Sequence, residues 1–360
     1  MSRRFLLAAL LLLASTHCSR FKRLPAIGTG YVAPISLNLR QDLVPRSTIV
    51  GTLKHGDRVD ILVRRRRFAK VRIADNVEGW VDSRQLLSSE GMQRLKRFHA
   101  WARRQPSQGL ATPLDILNVH IDANRYAPSF AQISPEETAD IIGRMVTQRG
   151  PYSPDASGMP EPIAPAPNAV KDDWSLVRIA DGRSGWVLSR LMTMNLPEAV
   201  TMFSQGHRIT SFHQLGIVRD RSRRTVKNYL WTTSSVPPEG FNFDRFRVTM
   251  FSPRSRQFET GHIESNIRGH YPITVHTRPE EPVQRFTLIY SEAKGPVLER
   301  TFELANRKVR LVDKKPWRPP PTELEQADLL LAEEQAEKPP DTAWERLRAQ
   351  WRDFRGTKSK

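Results

Sequence analysis

The chain contains one stretch twice, and this internal repeat constrains its fold more than any other feature. Residues 71–84 read Val-Arg-Ile-Ala-Asp-Asn-Val-Glu-Gly-Trp-Val-Asp-Ser-Arg, and residues 177–190 read Val-Arg-Ile-Ala-Asp-Gly-Arg-Ser-Gly-Trp-Val-Leu-Ser-Arg, so ten of fourteen positions are identical. Each copy predicts a β-hairpin, because alternating apolar residues suit a half-buried strand and an Asp-Asn or Asp-Gly turn precedes Gly-Trp-Val. A repeat of this kind indicates two copies of one fold unit.

The N-terminus indicates export. A basic start precedes the apolar run from Phe5 to Ala14, which is shorter than the ~20 residues that span a bilayer. We interpret residues 1–18 as a signal peptide. Cys18 is the only cysteine, and residues 13–18 resemble a lipobox, although His17 and Ser15 depart from its usual residues. We expect a membrane-anchored lipoprotein of the cell envelope, lipidated at Cys18 and facing the periplasm or the outside; the alternative is an ordinary cleaved signal.

A tether at residues 19–30 leads into a segment, 31–87, with five short strand patterns and close turns. This spacing predicts a small, partly open β-barrel. The segment resembles the bacterial SH3-like (SH3b) domain in four successive motifs: Leu37-Asn38-Leu39-Arg40, residues 51–59, Phe68-Ala69-Lys70-Val71 and Gly79-Trp80-Val81. The resemblance implies a small β-barrel that binds peptidoglycan or envelope peptides.

A second, diverged copy is expected at residues 114–192. Leu117-Asn118-Val119 matches Leu37-Asn38-Leu39 at an offset of 80 residues, whereas from Trp174 onward the offset is 106. The difference of 26 residues predicts an insertion in one loop, in the proline-rich run near 150–170. This copy is expected to have lost some or all ligand binding.

The candidate ligand contacts are aromatic and arginine side chains of the two predicted barrels: Tyr31, Arg66, Arg67, Phe68, Trp80, Trp174 and Trp186. Two alternatives stay open. The run of four arginines at 64–67 is also what a solvated hairpin tip carries. Trp80 and Trp186 are also expected as equivalent core residues, because a buried tryptophan on a barrel strand is common.

The rest of the chain predicts three further segments. Residues 88–113 form a helical connector, in which Met92, Leu95, Phe98 and Trp101 line one face. Residues 195–315 contain seven or eight strand patterns and predict an immunoglobulin-like β-sandwich. Residues 316–360 form a Pro-rich linker and a helical tail. The predicted fold class is therefore mainly β: two small SH3-like β-barrels followed by an immunoglobulin-like β-sandwich, with short connecting and C-terminal helices.

Composition and motifs favour a binding protein over an enzyme. The net charge of +18 favours an anionic partner, and with the resemblance this indicates peptidoglycan or another anionic envelope polymer, with envelope proteins as the alternative partners. Export argues against nucleic acid. The chain has no nucleophile elbow, phosphate loop or metalloprotease motif, so we expect no catalytic residue, metal or cofactor. A scaffold in a larger envelope assembly and a cryptic cell-wall hydrolase remain the alternatives.

The lipoprotein hypothesis predicts that Cys18 carries the anchor. The wild-type protein should partition into detergent and show a lipid mass increment on Cys18, because acyl chains add buried CH₂ groups. Cys18→Ser should release the protein into the aqueous phase. Intact-mass analysis and phase partitioning measure both properties, and a soluble wild-type product cleaved at another residue would contradict the hypothesis.

Overall fold

The structure is a computed structural model that describes residues 24–44, 46–151, 170–204, 206–220, 222–235, 240–292 and 295–318. The predicted signal peptide with Cys18, most of the proline-rich run and the predicted tail helices lie outside these residues. The chain divides into two compact units: the first contains the residues up to Leu86 except Ala33–Ile35, and the second contains the rest. The predicted mainly β class is confirmed, because the described residues form three antiparallel sheets.

The first sheet has seven strands in the order β3-β2-β6-β5-β4-β1-β7. Their bounds are β1 Gly28–Val32, β2 Ser36–Arg40, β3 Ile49–Lys54, β4 Arg58–Arg65, β5 Phe68–Arg72, β6 Glu78–Asp82 and β7 Leu86–Leu87. Alternate residues point to one side and form its core, which contains Val32, Leu39, Leu53, Val59, Ile61, Ala69, Val71 and Val81. The other side carries the polar and aromatic residues of β5 and β6.

The second sheet repeats this strand order as β10-β9-β13-β12-β11-β8-β14. Its strands are β8 Leu110–Pro113, β9 Leu117–His120, β10 Ser129–Ile133, β11 Ala139–Gln148, β12 Lys171–Arg178, β13 Ser184–Leu188 and β14 Met192–Met194. Even the irregularities agree. The register shifts between Ile61 and Val63 in β4 and between the equivalent Ile141 and Gly143 in β11. The repeat in sequence is therefore a repeat in hydrogen-bond pattern.

The glycine of each Gly-Trp-Val motif is required by close packing and not by the turn itself. A Cβ on Gly79 would lie 2.6 Å from Leu39 Cγ and 2.8 Å from the Arg40 carbonyl oxygen. A Cβ on Gly185 would lie 2.7 Å from the His120 carbonyl oxygen. These contacts are shorter than any side chain permits, so only glycine lets β2 and β9 cross so near to β6 and β13.

One face of the second sheet is covered by helix α1, Ser89–Arg104. Ser88 is the N-cap of this helix, and its hydroxyl accepts a hydrogen bond from the Gly91 N–H at 3.0 Å. Its apolar stripe packs as predicted. Trp101 and Ala102 form a buried cluster with Ile142, Leu176, Trp174 and Trp186 of the sheet, and Phe98 packs against it.

The predicted insertion leaves the second sheet through an extended β11–β12 hairpin. The pairing of β11 with β12 continues to Gln148 and Lys171. A cluster of charged side chains links the two strands at this end of the hairpin. Asp172 accepts hydrogen bonds from Arg125 at 2.6 and 2.7 Å and from Arg149 at 2.8 and 3.1 Å. Although burial opposes ionisation of Asp172, these two guanidinium groups hold the pKa of its carboxyl well below its ordinary value.

The third sheet contradicts the predicted immunoglobulin-like sandwich. Its strands are β15 Arg208–Arg219, β16 Thr225–Ser234, β17 Phe243–Ser252, β18 Gln257–Val275, β19 Gln284–Glu292, β20 Leu298–Ala305 and β21 Lys308–Pro316, preceded by the short helix α2, Glu198–Thr201. They form one sheet in consecutive order, whereas a sandwich divides its strands between two sheets. Short turns connect neighbours, so each strand pairs with the next one in the chain. Side chains of this sheet form one apolar cluster, which includes Phe246, Leu288 and Phe302.

The second and third sheets share a bonded boundary. Gln108 is fully buried, and its side chain accepts from the Ile273 N–H at 3.0 Å and donates to the Ile273 carbonyl at 3.4 Å. Asp173 of β12 accepts two hydrogen bonds from Arg144 at 2.6 and 2.8 Å and one from Arg208 of β15 at 3.2 Å. Arg144 also donates to the Asn242 carbonyl at 2.9 Å. Buried charged hydrogen bonds of this kind fix relative orientation.

The third sheet contains a half-buried histidine that has no hydrogen bond at one ring nitrogen. His213 pairs in register with the buried Leu230 of β16. Its Nε2 atom is buried and has no partner among the described residues. Burial lowers the pKa of this imidazole from 6.5 to about 4, because the charged form is the more costly one to bury.

The stability of the second unit should therefore fall as the pH is lowered from about 6.5 to about 4. Across this window the unfolded chain protonates His213 and the folded chain does not, so unfolding takes up a proton; the full effect is about 3 kcal/mol. Urea unfolding at neutral pH and at a pH of about 4.5 measures it. His213→Leu should remove this part of the pH dependence and His207→Leu should retain it. Identical pH dependence in wild type and His213→Leu would contradict the assignment.

Candidate ligand-binding face

One row of side chains crosses the outer face of the first sheet. Trp80 of β6 lies opposite Lys70 of β5 on one side and opposite Arg40 of β2 on the other. Gly79 and Val81, its neighbours along β6, are buried, whereas Trp80 is only half-buried. Strand alternation thus places the indole on the outer face, between two cationic side chains. The prediction that Trp80 is a core residue is wrong.

The cations of this face exceed the carboxylates that bind them. Lys70 Nζ lies 2.8 Å from Glu78 Oε2, and Arg72 Nη2 lies 2.9 Å from Glu78 Oε1. Hydrogen bonds from Lys70 and Arg72 lower the pKa of Glu78, so its carboxylate stays ionised. Two cations therefore share one carboxylate, and Arg40, which donates to the Ser47 carbonyl at 2.9 Å, adds a third positive charge.

The four arginines at 64–67 form the tip of the β4–β5 hairpin, which agrees with their interpretation as a solvated hairpin tip. Residues 64–67 are all exposed. Arg66 has a φ of 53°, in the left-handed region that favours glycine. Arg67 places its guanidinium 4.9 Å from the centroid of the Phe68 ring, a cation–π contact. The tip thus extends the cationic and aromatic surface of Lys70 and Trp80 along β5.

The equivalent row of the second sheet has the opposite character. Trp186 lies opposite Leu176 and His120, which occupy the positions of Lys70 and Arg40. Burial lowers the pKa of His120, whose Nδ1 lies 2.8 Å from the Ala127 carbonyl oxygen. The row has thus exchanged two cations for an apolar residue and a buried histidine, and α1 covers it.

An arginine common to both repeats holds a neighbouring segment in each. Arg178 donates through Nη1 to the carbonyl oxygens of Ala102, Arg103 and Gln105 at 3.0–3.1 Å, which caps the C-terminus of α1. The equivalent Arg72 donates to the Leu24 carbonyl at 2.7 Å. The repeated arginine therefore binds backbone in both copies, and only in the second copy does that backbone belong to a helix that covers the sheet.

The predicted site residues are not all brought together. Arg66, Arg67 and Phe68 adjoin the row that contains Trp80. Tyr31 lies opposite Arg58, at the far end of β4 from Arg65, which pairs with Phe68. Seven residues of strand separate these positions by about 23 Å, so Tyr31 is remote from the tip.

Trp174 and Trp186 do not lie on a ligand surface. Their exposed fractions are 0% and 6%, because α1 packs over both rings. Sequence reasoning also missed Arg40 and Lys70. Both residues lie beside Trp80 because β2 and β5 pair with β6. The offsets of 80 and 106 residues relate them to His120 and Leu176 in the second copy.

The described residues show neither a metal site nor a membrane-crossing helix. No three histidine, cysteine, aspartate or glutamate side chains in them converge to hold an ion. Within the same part of the chain, every helix is too short or too polar to cross a bilayer.

The contrast between the two tryptophans predicts different costs of truncation. Trp186→Ala should lower the free energy of unfolding by about 3–5 kcal/mol, the range for a buried aromatic side chain. Trp80→Ala should cost less, about 1–2 kcal/mol, because this ring is only partly removed from water. Urea unfolding of the two matched variants tests this, and equal losses would contradict the assignment of Trp80 to the outer face.

Solved structures resemble the chain only weakly. NlpC2 from Trichomonas vaginalis is 10% identical with a TM-score of 0.16, and the match covers 81% of this chain and 98% of that one. An NlpC/P60 family protein from Bacillus cereus ATCC 10987 is 12% identical with a TM-score of 0.19, over 83% and 97% of the two chains. TM-scores this low do not indicate a common overall fold, and no function follows from them.

Sequence comparison gives a more local result. The comparison with curated proteins returned no match. Residues 35–88 match the family described as bacterial SH3 domain, a range that contains β2 to β6 and every residue of the Arg40, Lys70 and Trp80 row. Residues 35–88 therefore form one bacterial SH3 domain.

Proposed function

We propose that this protein is a non-enzymatic binding protein of the cell envelope, and that the outer face of its first sheet binds peptidoglycan or another anionic envelope polymer. The ligand-binding face comprises Arg40, Arg67, Phe68, Lys70 and Trp80. The observation that carries the proposal is the half-exposed row of Trp80 between two cations, within the residues that match the bacterial SH3 domain.

The chemistry of this face suits a polymer with carboxylates and apolar surface. Guanidinium groups bind carboxylates through paired hydrogen bonds. The half-exposed rings of Phe68 and Trp80 offer flat apolar area beside these charges. A wall peptide or an acidic glycan presents both kinds of group within a short length, so one ligand segment can contact the cations and the rings together.

The second sheet is, in this proposal, a diverged SH3 copy that serves as structure. Its strand order and register shift equal those of the first sheet. Helix α1 occupies the surface that corresponds to the ligand-binding face, and Trp101 takes the place that a ligand ring would fill against Trp186. Binding therefore resides in residues 31–87, and residues 114–192 with α1 supply a stable body.

Location and anchoring belong to the same proposal. An exported protein held by a lipid on Cys18 would present its binding face to the wall from the membrane. A nucleic-acid partner would need a location that export does not provide. An envelope protein with an acidic apolar surface is the second candidate partner, because the exposed tryptophan and arginines of the face suit a protein interface equally well.

The test is co-sedimentation of the mature protein with purified sacculi at increasing salt. Lys70→Gln and Trp80→Ala should each weaken binding about tenfold, the loss of one charge-assisted hydrogen bond or one aromatic contact. Lys308→Gln, a matched loss of one positive charge on the exposed strand β21, is the control and should bind as wild type does.

Salt separates recognition from bulk charge. Binding through the face should persist in part at about 0.5 M salt, because the Trp80 contact is not screened. Complete loss at modest salt, together with equal effects of Lys70→Gln and Lys308→Gln, would show that net charge alone retains the protein. Absence of any binding to sacculi would refute the proposed ligand class.

A further inference from the structure

A cleft of about 500 Å³ lies on the boundary of the second and third sheets. This volume falls in the range of small-molecule sites, roughly 300–1,000 Å³. One wall is the end of the β11–β12 hairpin, and the other is the segment before β17 with His270 of β18. The lining residues include Arg144, Gln148, Lys171, Phe241, Asn242 and His270.

An excess of positive charge lies beside Arg144, the arginine of the lining. Arg144 and Arg208 both donate to Asp173, which stands outside the described lining together with Arg208. Two guanidinium groups against one carboxylate leave about one positive charge next to the cleft, and the described lining itself contains lysine and arginine but neither aspartate nor glutamate.

Aromatic rings form the third-sheet wall. His270 stacks on Trp317 with ring centroids 5.4 Å apart and an interplanar angle of 17°. Phe241 has the guanidinium carbon of Arg268 at 5.4 Å from its ring centroid. Flat rings with an electron-rich face bind the C–H face of a sugar ring, and they do so in company with cations. Gln148 and Asn242 also line the cleft, and their side-chain amides can donate hydrogen bonds to hydroxyl groups.

We propose that this cleft binds an anionic saccharide unit, a sugar ring that carries a carboxylate or a phosphate. The acid group faces Arg144 and Lys171, and the ring lies on the wall formed by Phe241 and His270. The site is separate from the ligand-binding face of the first sheet, so the inference stands whether or not that face binds the envelope polymer.

Calorimetry and saturation-transfer NMR on the mature chain without its anchor test this site, with tri-galacturonate, glucose 6-phosphate and neutral maltotriose as probes. Tri-galacturonate, glucose 6-phosphate or both should bind, and the stronger of the two identifies the acid group. Maltotriose should bind at least about tenfold more weakly, because it lacks a charge-assisted hydrogen bond.

Two variants separate the parts of the site. Lys171→Gln should weaken the acidic probe about tenfold and leave maltotriose unchanged, and Phe241→Ala should weaken every saccharide. Trp80→Ala, in the first sheet, should have no effect, which separates this inference from the proposed function. Unchanged melting temperatures establish that the variants fold.

Three results would overturn the inference. The first is the absence of binding by both acidic probes at millimolar concentration. The second is equal affinity for maltotriose and tri-galacturonate, because the cations would then contribute nothing. The third is binding that survives both Lys171→Gln and Phe241→Ala, since the ligand would then occupy another surface.

Discussion

The arrangement of the second unit depends on Asp173. This carboxylate on β12 binds one arginine of its own sheet, Arg144, and one of the neighbouring sheet, Arg208, while Arg144 continues to the backbone at Asn242. If one member of this ion cluster were removed, a charge would stay buried without its partner. The free-energy cost of that buried charge is far larger than the stabilisation that the intact cluster provides. Two sheets that belong to different parts of the sequence are thereby held in one orientation, and the polar boundary between them stays open enough to form a cleft.

The two repeats show how one strand arrangement supports opposite surfaces. Trp80 and Trp186 occupy the same register position and are preceded by the same glycine. The first stands between cations on an open face, and the second is enclosed by Trp101. The difference comes from the segment that follows the first sheet: α1 presents its apolar stripe to the second sheet, and Arg178 binds its last carbonyl groups. A copy of the domain thus acquires its cover from outside its own strands.

Part of the fold follows from the sequence, because the repeat and its two offsets predict two equivalent hairpins and a longer loop in the second copy. The sequence near Trp80 and Trp186 is almost identical, however, so no local pattern can tell an open face from a covered one. Burial there depends on α1, which is distant along the chain. The sandwich prediction failed for a related reason: alternation in segments such as 286–290 identifies a strand, but the order of strands is a property of the turns and of tertiary packing.

The clamp at the end of the β11–β12 hairpin has a practical consequence. Arg125, Asp172 and Arg149 complete the ladder, whose register runs unbroken from Gly143 to Gln148. Arg149 and Asp172 lie on opposite sides of the hairpin, so their ion pair holds its two described ends together. Removing the carboxylate of Asp172 would leave Arg125 and Arg149 without the acceptor they share, so one substitution would loosen both strand ends at once.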